Sequence, residues 1–178
     1  MKLIGLTGKA RSGKDTIASY LWHSAGFTRI AFADPLKLAA QNIFGLTDGQ
    51  TWDDELKEVV IERIGLSPRQ IFQKLGTEAV RNVFGESTWL KRWLVGYDFL
   101  KETDDIVVPD VRFDNENALI KSLGGIIVEV RRGPGLVGST GDHASEHGLS
   151  TLPDVVIENN GTLDDLYAQV EYVLKGYV

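Results

Sequence analysis

A glycine-rich stretch close to the start of the chain constrains the fold more than any other feature. Residues 8–16 have the sequence GKARSGKDT; an apolar run at residues 2–7 precedes them, and a helical pattern at residues 17–22 follows. A glycine-rich turn between a strand and a helix is the setting in which this pattern binds phosphate. Gly8 and Gly13 allow a close approach of the backbone, so that the N–H groups of the loop and the start of the helix face the same anion. The stretch therefore predicts a nucleotide-binding α/β fold.

The chemistry of this loop depends on three consecutive residues. Lys14 is placed to reach the β and γ oxygens of a nucleoside triphosphate, where it would neutralise charge on the migrating group. The common pattern has a serine or threonine after the lysine to hold magnesium, but this chain has Asp15 and then Thr16. Either Thr16 supplies the hydroxyl, or Asp15 holds Mg²⁺ directly or through water. The alternative is an ordinary glycine turn with a solvated lysine. It is disfavoured by the spacing of the loop residues and by the predicted strand and helix on either side of the loop.

Length and charge narrow the class of protein. The 178 residues fit one α/β domain. The net charge of −6, from 19 basic and 25 acidic residues, argues against general binding of DNA or RNA. The chain has no cysteine, and we find neither a signal peptide nor a run long enough to cross a bilayer. We expect a cytoplasmic protein that binds neither nucleic acid polymers nor membranes, and a homodimer is compatible with the sequence.

Strand and helix patterns alternate along the chain. Further strands are predicted over residues 28–33, 105–110, 126–130 and 154–157. Helices are predicted over residues 34–44, 67–84 and 87–101, and from residues 114 and 162 onwards. This alternation predicts a parallel sheet of about five strands with helices on both faces. Residues 46–66 are acidic and irregular; we predict a short helix over 54–64 and assign this segment no chemistry.

The helix predicted over residues 67–84 has two faces. Ser67, Pro68 and Gln70 form a capping-box start. Its apolar face is predicted to comprise Phe72, Leu75, Ala79 and Val83. Polar residues recur every four positions at Arg69, Gln73, Thr77 and Arg81. Such a row is ordinarily solvated, but two arginines with no carboxylate among its members favour a face for a phosphate-bearing substrate.

More candidate site residues follow the predicted strands, where open α/β sheets bind ligands. Lys37 follows the second strand, and a substrate contact and a solvated side chain explain it equally well. Asp110 ends the third strand, where it would orient magnesium or a substrate hydroxyl, cap the next helix, or do both. Arg112 lies just beyond it.

The last part of the chain contains a predicted lid and a predicted adenine-binding turn. Arg131 and Arg132 lead into a glycine-rich segment that favours a mobile lid. His143 and Glu146 are weak evidence for a metal pair, and structural anchoring of the lid base is the better interpretation. The turn over residues 158–161 is placed where a kinase could hold adenine, although asparagine–glycine turns usually need no ligand.

The basic residues together exceed what one triphosphate needs. They are Lys37, Arg69, Arg81, Arg112, Arg131 and Arg132. This excess predicts a second anionic substrate opposite the γ phosphate. Transfer between two phosphates needs positioning and charge neutralisation and no covalent intermediate.

The chain resembles the deoxynucleoside monophosphate kinases of tailed bacteriophages over nearly its whole length. The resemblance is carried by the loop with its Gly-Lys-Asp-Thr ending and by blocks at residues 34–37, 69–78, 109–116, 143–146 and 159–162. It implies phosphorylation of deoxynucleoside 5′-monophosphates by ATP with Mg²⁺, for phage DNA synthesis in the host cytoplasm. It also implies one P-loop kinase domain over residues 1–178, with a helical substrate-binding insertion at about 46–103 and a lid at about 131–147.

The resemblance assigns roles to particular residues. ATP phosphates and Mg²⁺ would be held by Gly13, Lys14, Asp15 and Thr16. The monophosphate would be surrounded by Lys37, Arg69, Gln73, Thr77, Asp110 and Arg112. We add Arg11, Ser12, Asn160 and Gly161 to the ATP site and Glu146 to the substrate site. Lys14, Asp110, Arg112 and Arg132 are expected to take part in catalysis, although the sequence leaves open whether Arg131 or Arg132 would bridge the phosphates.

Two other functions remain as alternatives. One is a kinase for another small phosphate acceptor, such as dephospho-coenzyme A. The other is a nucleotide-dependent switch or assembly ATPase. The chain lacks the guanine-reading Asn-Lys-x-Asp tetrad, and Asp110 is followed by Val111 rather than by a second acid. These absences favour a kinase.

Overall fold

A computed structural model describes residues 1–133 and 148–176 of the chain. The secondary structure elements, in chain order, are β1 (Leu3–Thr7), α1 (Lys14–Ser24), β2 (Phe27–Arg29), α2 (Asp34–Phe44), α3 (Asp48–Trp52), a 3₁₀ turn (Leu56–Glu58), α4 (Pro68–Gln73), a π-helical segment (Lys74–Arg81), α5 (Asn82–Phe84), α6 (Thr88–Leu100), β3 (Asp105–Val108), α7 (Asp114–Ser122), β4 (Ile126–Arg131), β5 (Val155–Glu158) and α8 (Leu163–Gly176).

The chain divides into two compact units. One comprises Met1–Ala31 and Leu94–Val178 and is called the sheet unit below; the other comprises Phe32–Trp93 and is called the helical unit. All five strands belong to the sheet unit. Among the described residues, no helix is long and apolar enough to cross a membrane.

The sheet has five strands in the order β2-β3-β1-β4-β5, and every neighbouring pair is parallel. The prediction of a five-stranded parallel sheet is confirmed. The central strand β1 pairs Gly5 with Val108 of β3 and with Ile127 of β4. Since all strands run the same way, their carboxyl ends share one edge, which is where open α/β sheets bind ligands.

Alternation along β1 places helices on both faces of the sheet. Ile4 and Leu6 belong to a buried cluster on one face, which also includes residues of α1 and α8: Ile17, Ala18, Leu21, Leu166 and Val170. Gly5 faces the opposite side, where a Cβ would lie 2.9 Å from Val111 Cγ2 and 3.5 Å from Ile120 Cγ2 of α7. The predicted helices on both faces are therefore confirmed.

The helical unit has its own apolar core. Ala40, Leu46 and Ile71 are buried there. The predicted start of α4 is confirmed: Ser67 Oγ accepts from Gln70 N at 3.3 Å, and Gln70 Oε1 accepts from Ser67 N at 2.9 Å.

The prediction of a helix over residues 54–64 is wrong. Only the 3₁₀ turn Leu56–Glu58 forms, followed by an antiparallel bridge between Ile61 and Leu66. The carboxylate of Asp53 accepts from the N–H groups of Glu55 and Leu56 at 2.8 and 2.9 Å. A side chain that bonds nearby amides in this way stabilises a turn in place of a helix.

The helix predicted over residues 67–84 forms, but its middle is wound as a π-helix. Trp89 Nε1 donates to the carbonyl of Gly76 at 2.9 Å. A side chain that bonds a helix carbonyl from outside disturbs the regular ladder at that point. Each turn then holds more residues than in an α-helix, which shifts the later side chains around the helix axis. The predicted apolar face is therefore wrong in its carboxyl-terminal half, where Ala79 is exposed and Val83 is 70% exposed.

Candidate active site

The glycine-rich loop adopts a backbone that side chains would prevent. Gly8 has φ +133° and Gly13 has φ +110°. A Cβ on Gly8 would lie 2.3 Å from the carbonyl oxygen of Val130. Arg11 also has a positive φ, of 61°, a conformation that an ordinary residue adopts only under strain. The loop is therefore packed against β4, with its shape fixed by backbone contacts.

The side chain of Lys14 returns to the loop from the first residue of α1. Its Nζ donates to the carbonyls of Gly8 at 2.8 Å and Lys9 at 2.7 Å, and the residue is only 8% exposed. An ammonium held in this way adds a full positive charge to the partial charge at the amino end of α1. The loop can accordingly hold a polyphosphate.

Asp110 and Arg112 follow β3 at the same sheet edge as the loop. Val111 N donates to Leu6 O at 3.1 Å, which ties this segment to the end of β1 just before the loop. Both Asp110 and Arg112 are half-buried. The pairing of β1 with β3 therefore brings the segment that carries these two residues to the end of β1, where the phosphate loop begins.

Glu116 is a functional candidate that the sequence analysis did not single out. Its buried carboxylate accepts from Arg112 N at 2.8 Å and Phe113 N at 3.1 Å. The carboxylate therefore fixes the backbone that carries Arg112. The available sequence signal was an acidic residue in the first turn of the predicted helix, a position that commonly bonds the preceding amides.

Replacing Glu116 tests this support. Glu116→Ala leaves two partly buried amides without their acceptor, so we expect the free energy of unfolding to fall by about 1–3 kcal/mol. Glu116→Gln keeps one acceptor oxygen, and we expect a loss of less than about 1 kcal/mol. Urea unfolding of both variants measures the difference. Equal losses would mean that the two amide bonds contribute little.

The structure describes only the beginning of the predicted lid. Arg131 is paired with Glu129 through an Nη2–Oε2 contact of 2.6 Å, and this carboxylate raises the pKa of the guanidinium. The side chain of Arg132 is exposed. His143 and Glu146 lie in residues 134–147, outside the described part of the chain.

The turn after β5 contacts both the loop and the first residues of the lid segment. Asn159 Nδ2 donates to Ser12 O at 2.8 Å, and Asn160 Oδ1 accepts from Gly133 N at 2.7 Å. A Cβ on Gly161 would lie 2.6 Å from Asp165 Oδ2. The sequence predicts a role for Asn160 and Gly161, whereas Asn159 lies in the same block of residues 159–162 without a predicted role.

In the helical unit, two of the predicted substrate cations have partners between residues 52 and 58. Arg69 Nε is 2.5 Å from Glu58 Oε1. Lys37 Nζ lies 4.6 Å from the centre of the Trp52 ring, a cation–π arrangement. The pKa of Asp54 is lowered, chiefly by a hydrogen bond from Lys57. Partial burial opposes this shift, and the charges of Lys57, Arg69 and Lys37 add to it. The acidic side chains of the segment after α3 are exposed, and within this segment Glu58 pairs with Arg69, one of the predicted substrate cations.

The predicted polar row of the helix after Ser67 is partly protected from solvent. Its four members, Arg69, Gln73, Thr77 and Arg81, are all half-buried. Residues between them on the outer side, Gln70, Lys74 and Glu78, are exposed. The row is therefore distinct from the fully solvated face of the same helix. Arg69 and Lys37 are the members of the predicted substrate set whose charges help to lower the pKa of the Asp54 carboxyl.

The donor set of the loop fits a magnesium ion bound mainly through nucleotide phosphates. Asp15 is exposed and Thr16 is half-buried in the first turn of α1. No group of three or more His, Cys, Asp or Glu side chains in residues 1–133 and 148–176 could hold a metal. Mg²⁺ commonly binds one or two protein ligands together with phosphates and water, so Asp15 and Thr16 suffice for such a site.

Comparison with known proteins identifies the family. The model of the family described as deoxynucleotide monophosphate kinase matches residues 41–170. The chain is 37% identical to a putative deoxynucleotide monophosphate kinase of Acanthamoeba polyphaga mimivirus, over 96% of this chain and 94% of that protein. The chain belongs to the deoxynucleotide monophosphate kinase family.

Other similarities agree with this family and with the fold. A deoxynucleotide monophosphate kinase of Enterobacteria phage T4 is 27% identical, over 98% of this chain and 99% of that protein. A dephospho-CoA kinase of Arabidopsis thaliana is 28% identical, over 98% and 83%. Shikimate kinase from Aquifex aeolicus has a TM-score of 0.53 at 16% identity, over 98% and 96% of the two chains. The predicted resemblance and the P-loop kinase fold are thereby confirmed.

Proposed function

We propose that this member of the deoxynucleotide monophosphate kinase family transfers the γ-phosphoryl group of ATP to deoxynucleoside 5′-monophosphates. The observation that carries the proposal is the phosphate loop, in which the nearly buried Lys14 ammonium lies against the carbonyls of Gly8 and Lys9. A loop of this shape binds a polyphosphate, and the family supplies the class of acceptor.

The sheet unit would hold ATP. The amides of the loop, from Arg11 to Thr16, would bind the β and γ phosphates, and Lys14 would offset the charge that develops during transfer. Mg²⁺, held through Asp15 and Thr16, would neutralise the phosphate oxygens when bound. Asn160 and Gly161 are proposed adenine contacts. Arg132 is the better candidate for a bridging arginine, because Arg131 is engaged by Glu129.

The acceptor would bind to the polar row of the helical unit, where its phosphate would be held by Lys37 and Arg69 and its base or sugar by Gln73 and Thr77. In the sheet unit, Arg112 remains the proposed substrate contact that the family resemblance assigns. Glu146 remains a proposed substrate contact, and Asp110 would orient a substrate hydroxyl or magnesium. Because Arg69 is paired with Glu58, the incoming phosphate would compete with that carboxylate for the guanidinium.

The test is a coupled assay of ADP formation with MgATP and each of the deoxynucleoside monophosphates in turn. We expect ADP to form only when a monophosphate acceptor is added. ATP loss that does not depend on added monophosphate would instead support a switch or assembly ATPase. ADP formation with dephospho-coenzyme A alone would identify a different acceptor.

Arg69→Ala tests the acceptor site. A guanidinium–phosphate contact is a strong charge-assisted bond, so we expect the KM for monophosphate to rise about tenfold or more while the KM for ATP changes less than about twofold. Initial rates with each substrate varied in turn provide both constants.

Arg63→Ala is the matched control in the same unit. Arg63 Nη2 donates to the carbonyls of Phe44 and Gly45 at 2.8 and 3.2 Å. Its loss removes the same charge and weakens local structure, and we expect both KM values to remain unchanged. If the two KM values rise equally in Arg69→Ala, Arg69 is not part of the acceptor site.

A further inference from the structure

We infer that Asn159 is a positioning residue for the phosphate loop, and that its side chain fixes the direction in which the Gly13 amide points. The inference rests on the proposed function in one respect, which is that the nucleotide bound by the loop is ATP. Asn159 follows β5 and is 147 positions away from Ser12 in sequence, yet its Nδ2 donates to the Ser12 carbonyl at 2.8 Å in a buried setting.

The contact fits the loop closely. A Cβ on Gly13 would lie only 2.4 Å from Asn159 Nδ2, so the asparagine amide occupies the space that any other residue at position 13 would need. Gly13 is therefore required twice, once for its positive φ of 110° and once for this close approach.

One peptide plane carries the effect to the phosphate site. The carbonyl of Ser12 and the N–H of Gly13 belong to the same planar trans peptide and point in opposite directions. A hydrogen bond that holds the carbonyl toward Asn159 therefore holds the Gly13 N–H away from Asn159. This N–H is one of the loop amides, directly before the first residue of α1, that a phosphate would contact.

Ser12 depends on this bond because its own side chain does not anchor it. Ser12 is 3% exposed, and within the described residues its hydroxyl has no hydrogen-bond partner. Its backbone N–H donates to Lys9 O at 3.2 Å, within the loop itself. The Ser12 carbonyl is therefore the group that bonds to a distant part of the chain, through Asn159.

Asn159 is itself firmly held. Its backbone N–H donates to Arg131 O at 2.7 Å, which continues the pairing of β5 with β4. The residue is 9% exposed. The amide therefore reaches the loop from a rigid strand end, as a residue that positions another group must.

Asn159→Ala is the first test, with Asn117→Ala as its matched control. Asn117 is also a buried asparagine of the sheet unit, 3% exposed, and its Nδ2 donates to Thr151 Oγ1, away from the loop. We expect the melting temperature to fall in both variants. In Asn159→Ala alone, the KM for MgATP and the Kd for ATP by calorimetry rise about tenfold, as expected for one hydrogen bond, while the KM for monophosphate stays within about twofold.

Asn159→Asp is the second variant, which keeps the shape of the side chain but replaces the donor with an acceptor. We expect it to weaken ATP binding at least as much as alanine does. The inference is overturned if Asn159→Asp binds ATP as the wild type does, or if Asn117→Ala raises the Kd equally. It is also overturned if neither Asn159 variant folds, because the contact is then purely structural. Failure of the proposed function is a separate outcome: the wild type would bind ATP but would not phosphorylate any deoxynucleoside monophosphate.

Discussion

Lys14→Ala is expected to lower kcat/KM by about 10³-fold or more, because a preorganised positive charge at the transferring phosphate is lost. The variant should still fold. It loses two hydrogen bonds to the carbonyls of Gly8 and Lys9, which we expect to reduce the free energy of unfolding by about 1–2 kcal/mol. Initial-rate kinetics and urea unfolding of the same preparation measure both effects.

The control for this prediction is Lys101→Ala, which removes the same charge from an exposed pair. Lys101 Nζ lies 2.8 Å from Asp98 Oδ1, with both side chains largely in solvent. Such an exposed pair contributes little to stability, and we expect wild-type kinetics. Turnover in Lys14→Ala equal to that of Lys101→Ala would refute the role of Lys14 in phosphoryl transfer.

Gly8→Ala is expected to have the largest effect on stability. The added methyl group would lie 2.3 Å from the carbonyl oxygen of Val130 in β4, so backbone must move, and the φ of +133° is strained for any side chain. Strain and overpacking together should lower the free energy of unfolding by about 2–5 kcal/mol. Since the loop must shift, we also expect ATP affinity to fall about tenfold or more.

Gly26→Ala separates the two causes. Gly26 also has a positive φ, of 76°, but a Cβ there would have no heavy atom within 4 Å. This variant should therefore suffer only the conformational strain, about 1 kcal/mol, and leave the kinetics unchanged. If chemical denaturation shows that the free energy of unfolding falls by similar amounts in the two alanine variants, the close approach of Gly8 to β4 does not contribute to the destabilisation.

Local sequence patterns predicted the parts of the protein that consecutive residues determine. The glycines of the loop, the alternation of strands and helices, and the capping box at Ser67 each depend on neighbouring residues. The predictions of the sheet, of helices on both faces and of the α4 start are accordingly confirmed. The helix over residues 54–64 failed because Asp53 bonds the following amides, a competition that helix periodicity does not register.

The candidate site was only partly accessible from the sequence. Lys14, Asp110 and Arg112 follow from motif and strand order, since ligands in open α/β folds bind at the carboxyl edge of the sheet, whereas Arg69 follows from the polar row of the helix after Ser67. Glu116 and Asn159 lie within the blocks that carry the family resemblance, but the residue pattern predicts no role for either. Their importance lies in which backbone atoms they bond, and that information is absent from a residue pattern.

The sequence by itself determined the phosphate loop, the parallel sheet that presents it and the family, because each is signalled by short patterns of consecutive residues that can be read before the chain folds. Only the tertiary structure decided that Asn159 holds the Ser12 carbonyl, that Glu58 is paired with Arg69, and that Trp89 bonds the carbonyl of Gly76 within the π-helical segment. The physical reason is that these contacts join residues 11 to 147 positions apart. Their geometry exists only once the chain has folded.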